Sequence, residues 1–559
     1  TSFNSSAHGV IYGHRFFEQV PLPMRSRLIR FVAAFLFAAC FALPAPAQDA
    51  DPYGFQAAPD RERGAGPYDR LVIRGAMLID GTGGPPRGPV DVVVENDRIA
   101  AIASAGSPGG PMKDDRPEGD RVIDASGMYL LPGFVDAHAH LGGRAQGTPA
   151  EYVLKLWMAH GVTTVRENAA GNGIEWTLEH RERSAANAIT APRMRVYVAF
   201  GSGQDAPITT PDAAREWVRD IAEQGADGVK FFSAPPDVLE AALREAGEQD
   251  LRTAMHHAQN GTARYDVLDT ATWGLTTAEH FYGHPEALYT ERSVQAYPAD
   301  YNYQDEQDRF RYAGRMWQQA ADPGSAQWNT VLDSLIALDL TMVPTFGIYE
   351  ANRDLMRART AEWHDAYTLP SLWDFFQPSF ENHGSYHYFW STADEAAWDT
   401  HYDRWMQFVE AFKNRGGRVA AGSDSGYIFK TYGFGYIREL ELLQEAGFNP
   451  HEVLRSATLE GAQAIGMDEE IGTVEVGKQA DLVLVGANPL ENLKVLYGTG
   501  AVHFDRDARE LGRAGGIRYT IKDGIVYDAR QLLDDVRQMV REAKEARGMS
   551  PDADLELAR

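Results

Sequence analysis

Between Gly133 and about Gly466, eight short segments of buried-strand character alternate with helical stretches, and this alternation constrains the fold more than any other feature. The segments are 134–136, 162–165, 195–198, 228–231, 252–255, 276–278, 341–344 and 418–421. Eight strands joined by helical crossovers predict an α/β fold in which a parallel sheet closes on itself, a (β/α)8 TIM-like barrel over 132–466. The intervals are regular through the sixth strand and then lengthen, which marks 282–335 and 348–410 as insertions. The second insertion is crowded with aromatics, among them Trp373, Phe376, Tyr386, Trp398 and Trp405. That composition suits an extra helical subdomain with its own core. It equally suits a lid, because loops that follow barrel strands lie on the catalytic face.

Outside this region, β-type segments at 70–74, 91–95 and 98–102 have counterparts at 481–485, 502–504, 519–522 and 524–527. Together they predict a small β-sandwich domain built from both chain ends, 68–131 and 467–529. A stretch over 48–67, rich in Asp, Pro, Gly and Arg and without periodicity, reads as a linker. Leu532, Leu533, Val536, Met539 and Val540 recur at helical spacing, so 530–559 is expected to be an amphipathic packing helix and a tail.

Near the start, Arg25, Arg27 and Arg30 precede an apolar run over 31–43 that ends in Ala45-Pro46-Ala47, the layout of a secretory signal peptide over 24–47. The run is 13 residues long, short of the roughly 20 that a membrane-spanning helix needs. Residues 1–23 match no part of such a signal and read as a non-native or over-extended N-terminus. The expectation is a secreted or periplasmic protein, free of the membrane once the signal is removed. The single cysteine, Cys40, lies within the run, so the mature chain would form no disulfide; behind Phe37-Ala38-Ala39 it also reads as a lipid-attachment residue. A formal charge of −26 leaves no basic face for phosphates, which argues against nucleic acid and anionic lipid and for a small-molecule or dipeptide substrate. A homo-oligomer is compatible with all of this.

The sharpest chemical signal is Gly133-Phe134-Val135-Asp136-Ala137-His138-Ala139-His140. Side chains two apart on a strand share a face, so both imidazoles point into the mouth of the barrel, a geometry suited to a metal; His-x-His also arises by chance. Lys230 sits in an apolar flank that would depress its amine pKa and favour a carbamate, although an isolated lysine more often pairs with an acid. His257 and His280 end the fifth and sixth strands, and Asp424 ends the eighth. A carboxylate buried there needs a metal or a base role to justify its desolvation.

These motifs resemble the amidohydrolase superfamily, specifically the branch of Xaa-Pro dipeptidases and imidazolonepropionase-like amidohydrolases. The likeness runs from about Arg70 to Tyr527 and includes Glu439-Leu440-Glu441-Leu442-Leu443, Ile471-Gly472-Thr473-Val474-Glu475-Val476-Gly477-Lys478 and Ala480-Asp481-Leu482-Val483-Leu484-Val485. The resemblance implies two divalent metals, zinc by preference with manganese or cobalt as substitutes. His138, His140 and Asp424 would hold the more buried ion, and His257 and His280 the more exposed one. Lys230, N6-carboxylated, would bridge them. It further implies a metal-bridging hydroxide as nucleophile and Asp424 as the residue that moves its proton to the leaving nitrogen. Within the fifth strand, His257 is preferred over His256 because an alanine, here Ala258, follows the ligand in relatives. Glu167-Asn168 and Ile437 depart from the family pattern; both changes leave the implied metal ligands in place, and the resemblance does not define the substrate pocket. Tyr282 and His284 stand close enough to the sixth strand to touch substrate, though a loop histidine is usually solvated surface. Hydrolysis of an amide, a cyclic amide or an Xaa-Pro-type dipeptide is the leading expectation. A lactonase or esterase on the same centre is the alternative, and a non-catalytic binding protein on this fold ranks last.

Overall fold

The computed structural model describes residues 56–291 and 295–555. The expected signal peptide over 24–47, residues 1–23, Cys40 and the start of the linker therefore lie outside the described residues. Among the described residues, no helix is long and apolar enough to cross a membrane.

Eight strands form one parallel sheet in chain order: Phe134–Ala139, Val162–Ala169, Arg193–Ala199, Gly228–Phe231, Arg252–His256, Thr277–Glu279, Thr341–Val343 and Arg418–Val419. Phe134–Ala139, Val162–Ala169, Gly228–Phe231 and Thr277–Glu279 are buried along almost their whole length, as a parallel sheet covered by crossover helices requires. The helix Pro211–Glu223 shows how the covering works, since it turns Ala214, Trp217, Val218 and Ile221 inward at helical spacing. The sheet curls until its two edges meet. Ala137 N donates to Ala421 O at 2.9 Å, and Asp424 N donates to His138 O at 2.8 Å. Thus the segment carrying Asp424 is held against the segment carrying His138, although almost 300 residues separate them.

Strands from both chain ends share a second, mixed sheet of eight strands. Leu71–Leu78 forks it, pairing with Arg87–Glu95, Arg121–Asp124 and Tyr129–Pro132. Tyr129–Pro132 then pairs antiparallel with Leu482–Val485, which joins the two ends of the chain. Where the sequence predicted two packed layers, the hydrogen bonds trace one continuous forked sheet. Its core gathers Leu71, Ile73, Val92, Leu482, Leu484 and Ile521. The segment 502–504 stands apart, in a two-stranded ribbon of Ala501–Asp505 with Glu510–Ala514.

The C-terminal helix Ala529–Ala546 begins at Asp528, whose carboxylate accepts from Arg530 N and Gln531 N, and it buries Leu532, Leu533, Val536 and Val540. The two insertions pack on each other: the Phe310 and Tyr386 rings stack at 4.0 Å, and Trp398 Nε1 donates to Phe310 O at 2.8 Å. Their shared aromatic core seats on Phe281, just past the sixth strand.

Candidate metal centre

At the C-terminal ends of the parallel strands, three imidazoles converge on Asp424. Its Oδ1 lies 3.0 Å from His140 Nε2 and 3.6 Å from His138 Nε2, and its Oδ2 lies 4.0 Å from His280 Nε2. One ligand atom each from His138, His280 and Asp424 fits within a span of 4.8 Å. The far nitrogens of two of these rings are engaged elsewhere. His138 Nδ1 donates to the ionised Glu279 at 2.6 Å, and His280 Nδ1 donates to Thr345 Oγ1 at 2.6 Å, the hydroxyl in turn donating to Pro344 O. Both rings are thereby fixed in the tautomer that presents an Nε2 lone pair toward Asp424.

Electrostatics favour the same state. Burial drives the pKa of His138 down to about 4 and that of His280 well below its ordinary value, which leaves both neutral. For His140, burial acts in the same direction, but the hydrogen bond to Asp424 and its charge outweigh it and raise the pKa. Burial also works against the charge of Asp424, yet the surrounding histidines hold its pKa well below the usual carboxylate range. His138 and His280, neutral beside an ionised carboxylate, are in the forms that bind metal, whereas His140 would have to release a proton to do so.

The fifth strand corrects the sequence-based choice of His257. In its register, Ala254 stands opposite Thr277 and His256 opposite Glu279, and neighbours in register share a face of the sheet. Thr277 and Glu279 face the interior, where Arg166 from the second strand donates to both. His256 therefore points inward, its ring 4.6 Å from that of His280. His257 points outward and hydrogen-bonds Thr270 Oγ1 at 2.8 Å, on the helix Val267–Thr272.

Lys230 stands in register with Ala254, on the interior face. Its Nζ is buried without a hydrogen-bond partner among the described residues, 5.4 Å from the centre of the Phe232 ring. Burial pulls its pKa down to about 8, against the opposing charges of Glu279 and Asp424. Lowering the pKa raises the share of neutral amine, the form of a lysine that reacts with carbon dioxide.

Sequence reasoning missed the residues that hold this group in place. Asp136, two residues before the His-x-His pair, accepts from Ser423 N at 2.9 Å, Ser423 Oγ at 2.6 Å and Trp157 Nε1 at 3.2 Å, so it anchors the Asp424 segment to the first strand. Glu279 links His138 to Arg166. A signal existed: an ionisable residue on a fully buried strand needs a partner, and Glu279 immediately precedes His280. His280 and Asp424 both adopt left-handed backbone conformations, with φ of 65° and 50°. Such conformations persist at sites where the surroundings over-determine them. Here, main-chain bonds to Val343 and His138 do so.

A cavity of about 320 Å³ opens beside His140 and is lined by Arg144, Gln146, Glu167, Asn172 and Tyr427. The Tyr427 ring meets His140 edge-on at 5.5 Å, and Phe375 and His383 of the second insertion reach Tyr427 at 5.8 and 5.4 Å. Tyr282 stacks on His256 at 4.8 Å, whereas His284 turns into the insertion core against Phe408.

A family model described as the amidohydrolase family matches residues 129–309 and 403–526, and the unmatched interval contains most of the second insertion. Imidazolonepropionase of Symbiobacterium thermophilum is 26% identical over 468 residues, 78% of this chain and 95% of that enzyme. N-acyl-D-aspartate deacylase of Alcaligenes xylosoxydans xylosoxydans is 29% identical over 228 residues, 40% of this chain; the match spans 39% of the deacylase. A Xaa-Pro dipeptidase crystallised with methionine in its active site shares the fold, with a TM-score of 0.53 at 18% identity, covering 82% of this chain and 100% of its own.

Proposed function

Since this chain belongs to the amidohydrolase family, whose hydrolases act on C–N bonds, we propose that its strand-end cluster holds two divalent metal ions and hydrolyses a small amide, cyclic amide or Xaa-Pro-type dipeptide. The reading is carried by one observation, the convergence of His138, His140 and His280 on Asp424 beside the unpartnered amine of Lys230. The donor set fits the metals: His138 and His280 with free Nε2 lone pairs, His140 once it gives up the proton shared with Asp424, an ionised carboxylate, and a lysine suited to a bridging carbamate. His138, His140 and Asp424 would hold one ion. His256, in place of His257, would hold the other with His280. Zinc suits this mixture of nitrogen and oxygen donors, and manganese or cobalt would serve.

When bound, the ions would supply an activated water near neutral pH and polarise the scissile carbonyl. Asp424 is ionised and within hydrogen-bonding distance of His140, so it can accept the proton of the attacking water and return it to the leaving nitrogen. Glu279 keeps the His138 ring in the required tautomer throughout.

Metal analysis of the purified protein, followed by turnover of N-acyl amino acids and Xaa-Pro dipeptides with and without chelator, tests the proposal. Two ions per chain and chelator-sensitive amide cleavage are expected; cleavage that survives complete metal removal refutes it. Lys230→Ala should lose the second ion and activity together, with partial recovery in added acetate or propionate. Full turnover by that variant would exclude the bridging role.

A further inference from the structure

On the strand Val162–Ala169, residues two apart point the same way, so Thr164, Arg166 and Asn168 share a face. Arg166 identifies that face as the interior of the curled sheet: it donates to Glu279 at 2.8 Å and lies 5.1 Å over the Tyr197 ring. Asn168 is the next interior residue toward the C-terminal end of the strand, the end at which the first strand presents His138 and the fourth presents Lys230. Its side chain is completely buried, and neither Oδ1 nor Nδ2 has a hydrogen-bond partner among the described residues. Folds rarely leave both halves of an amide unmet, because each buried donor or acceptor pays its full desolvation cost. The charges beneath it are already matched, Arg166 against Glu279, so the position carries no excess charge to be neutralised.

We infer that Asn168 is a substrate-contacting residue that reads a neutral unit presenting one N–H and one C=O on the same edge, as in a lactam, a cyclic ureide or another cis amide. The inference rests on the proposed hydrolase reading. A carboxamide satisfies such a unit with two hydrogen bonds, Nδ2 donating to the carbonyl and Oδ1 accepting from the N–H. An ester or lactone has no N–H and leaves Oδ1 buried and unmet. Asn168 would thereby select amides over esters on the same centre.

The test uses the metal-loaded full chain and the variants Asn168→Leu and Asn168→Asp. Metal content and the carbon-13 signal of a carbamate are measured first, because they report on the hydrolase reading and are expected to be unchanged by either substitution. Binding of a panel of lactams and cyclic ureides is then measured by calorimetry, with the ester counterpart of each in which oxygen replaces the N–H. Asn168→Leu should weaken the best amide by about tenfold to a hundredfold while changing its ester less than about threefold. Asn168→Asp, which lacks the donor, should likewise weaken the amide. Equal losses for amide and ester, loss of metal on substitution, or a panel in which no amide binds the wild type would each overturn the inference. A chain that lacks two metals while still discriminating amide from ester through Asn168 would fail the hydrolase reading and spare this one.

Discussion

Glu279 shows how much of this centre depends on a residue that would touch no metal. It is fully buried, accepts from His138, Arg166 and Thr277, and keeps its charge against the cost of burial because Arg166 and His138 lie beside it. Glu279→Gln would leave Arg166 buried without its counter-charge. We expect a loss of about 3–5 kcal/mol in stability, read as a lowered denaturant midpoint, and metal affinity reduced by about 10–100-fold. His256, at the end of the fifth strand, and His257 just after it test which of the two is the proposed ligand. His256→Ala should lower the metal content of the purified protein, whereas His257→Ala should keep both ions and lose only the hydrogen bond to Thr270. The reverse pattern would restore the sequence-based choice.

Among the elements, the short helix Phe346–Tyr349 after the seventh strand carries the Tyr349 ring to within 5.5 Å of His280, and Glu439 clamps it. The Glu439 carboxylate accepts from Phe346 N at 2.9 Å and Gly347 N at 2.6 Å, from the helix Phe434–Glu445. Burial pushes its pKa up to about 8. The folded chain therefore holds this proton more tightly than the unfolded chain does, and the stability linked to it falls as pH rises from the ordinary carboxylate range through about 8. In Glu439→Gln that slope should flatten, so the variant should gain on the wild type in denaturant midpoint between pH 5 and about 8. A constant difference would show that the carboxyl does not titrate in this window. The C-terminal helix makes a simpler prediction: Leu533→Ala should cost about 2–5 kcal/mol, measured by chemical unfolding, with the metal content unchanged.

At the scale of the whole molecule, a parallel sheet curled edge to edge carries the candidate centre, while both chain ends merge in a second sheet. The sequence by itself determined which segments become the parallel strands and that His138, His140, Lys230, His280 and Asp424 stand at their ends. These are local facts, written in the period-two and helical patterns and in chain order. Only the tertiary structure decided that His256 and not His257 faces inward. A Met-His-His strand end has two possible faces, and the register against Thr277 and Glu279 selects one. It also decided the partners of Glu279, Arg166 and Asp136, because buried charges are satisfied across strands far apart in the chain. The joining of both ends in one forked sheet, and the packing of two insertions on Phe281, depended likewise on which surfaces meet once the sheet has curled. No local periodicity specifies that meeting.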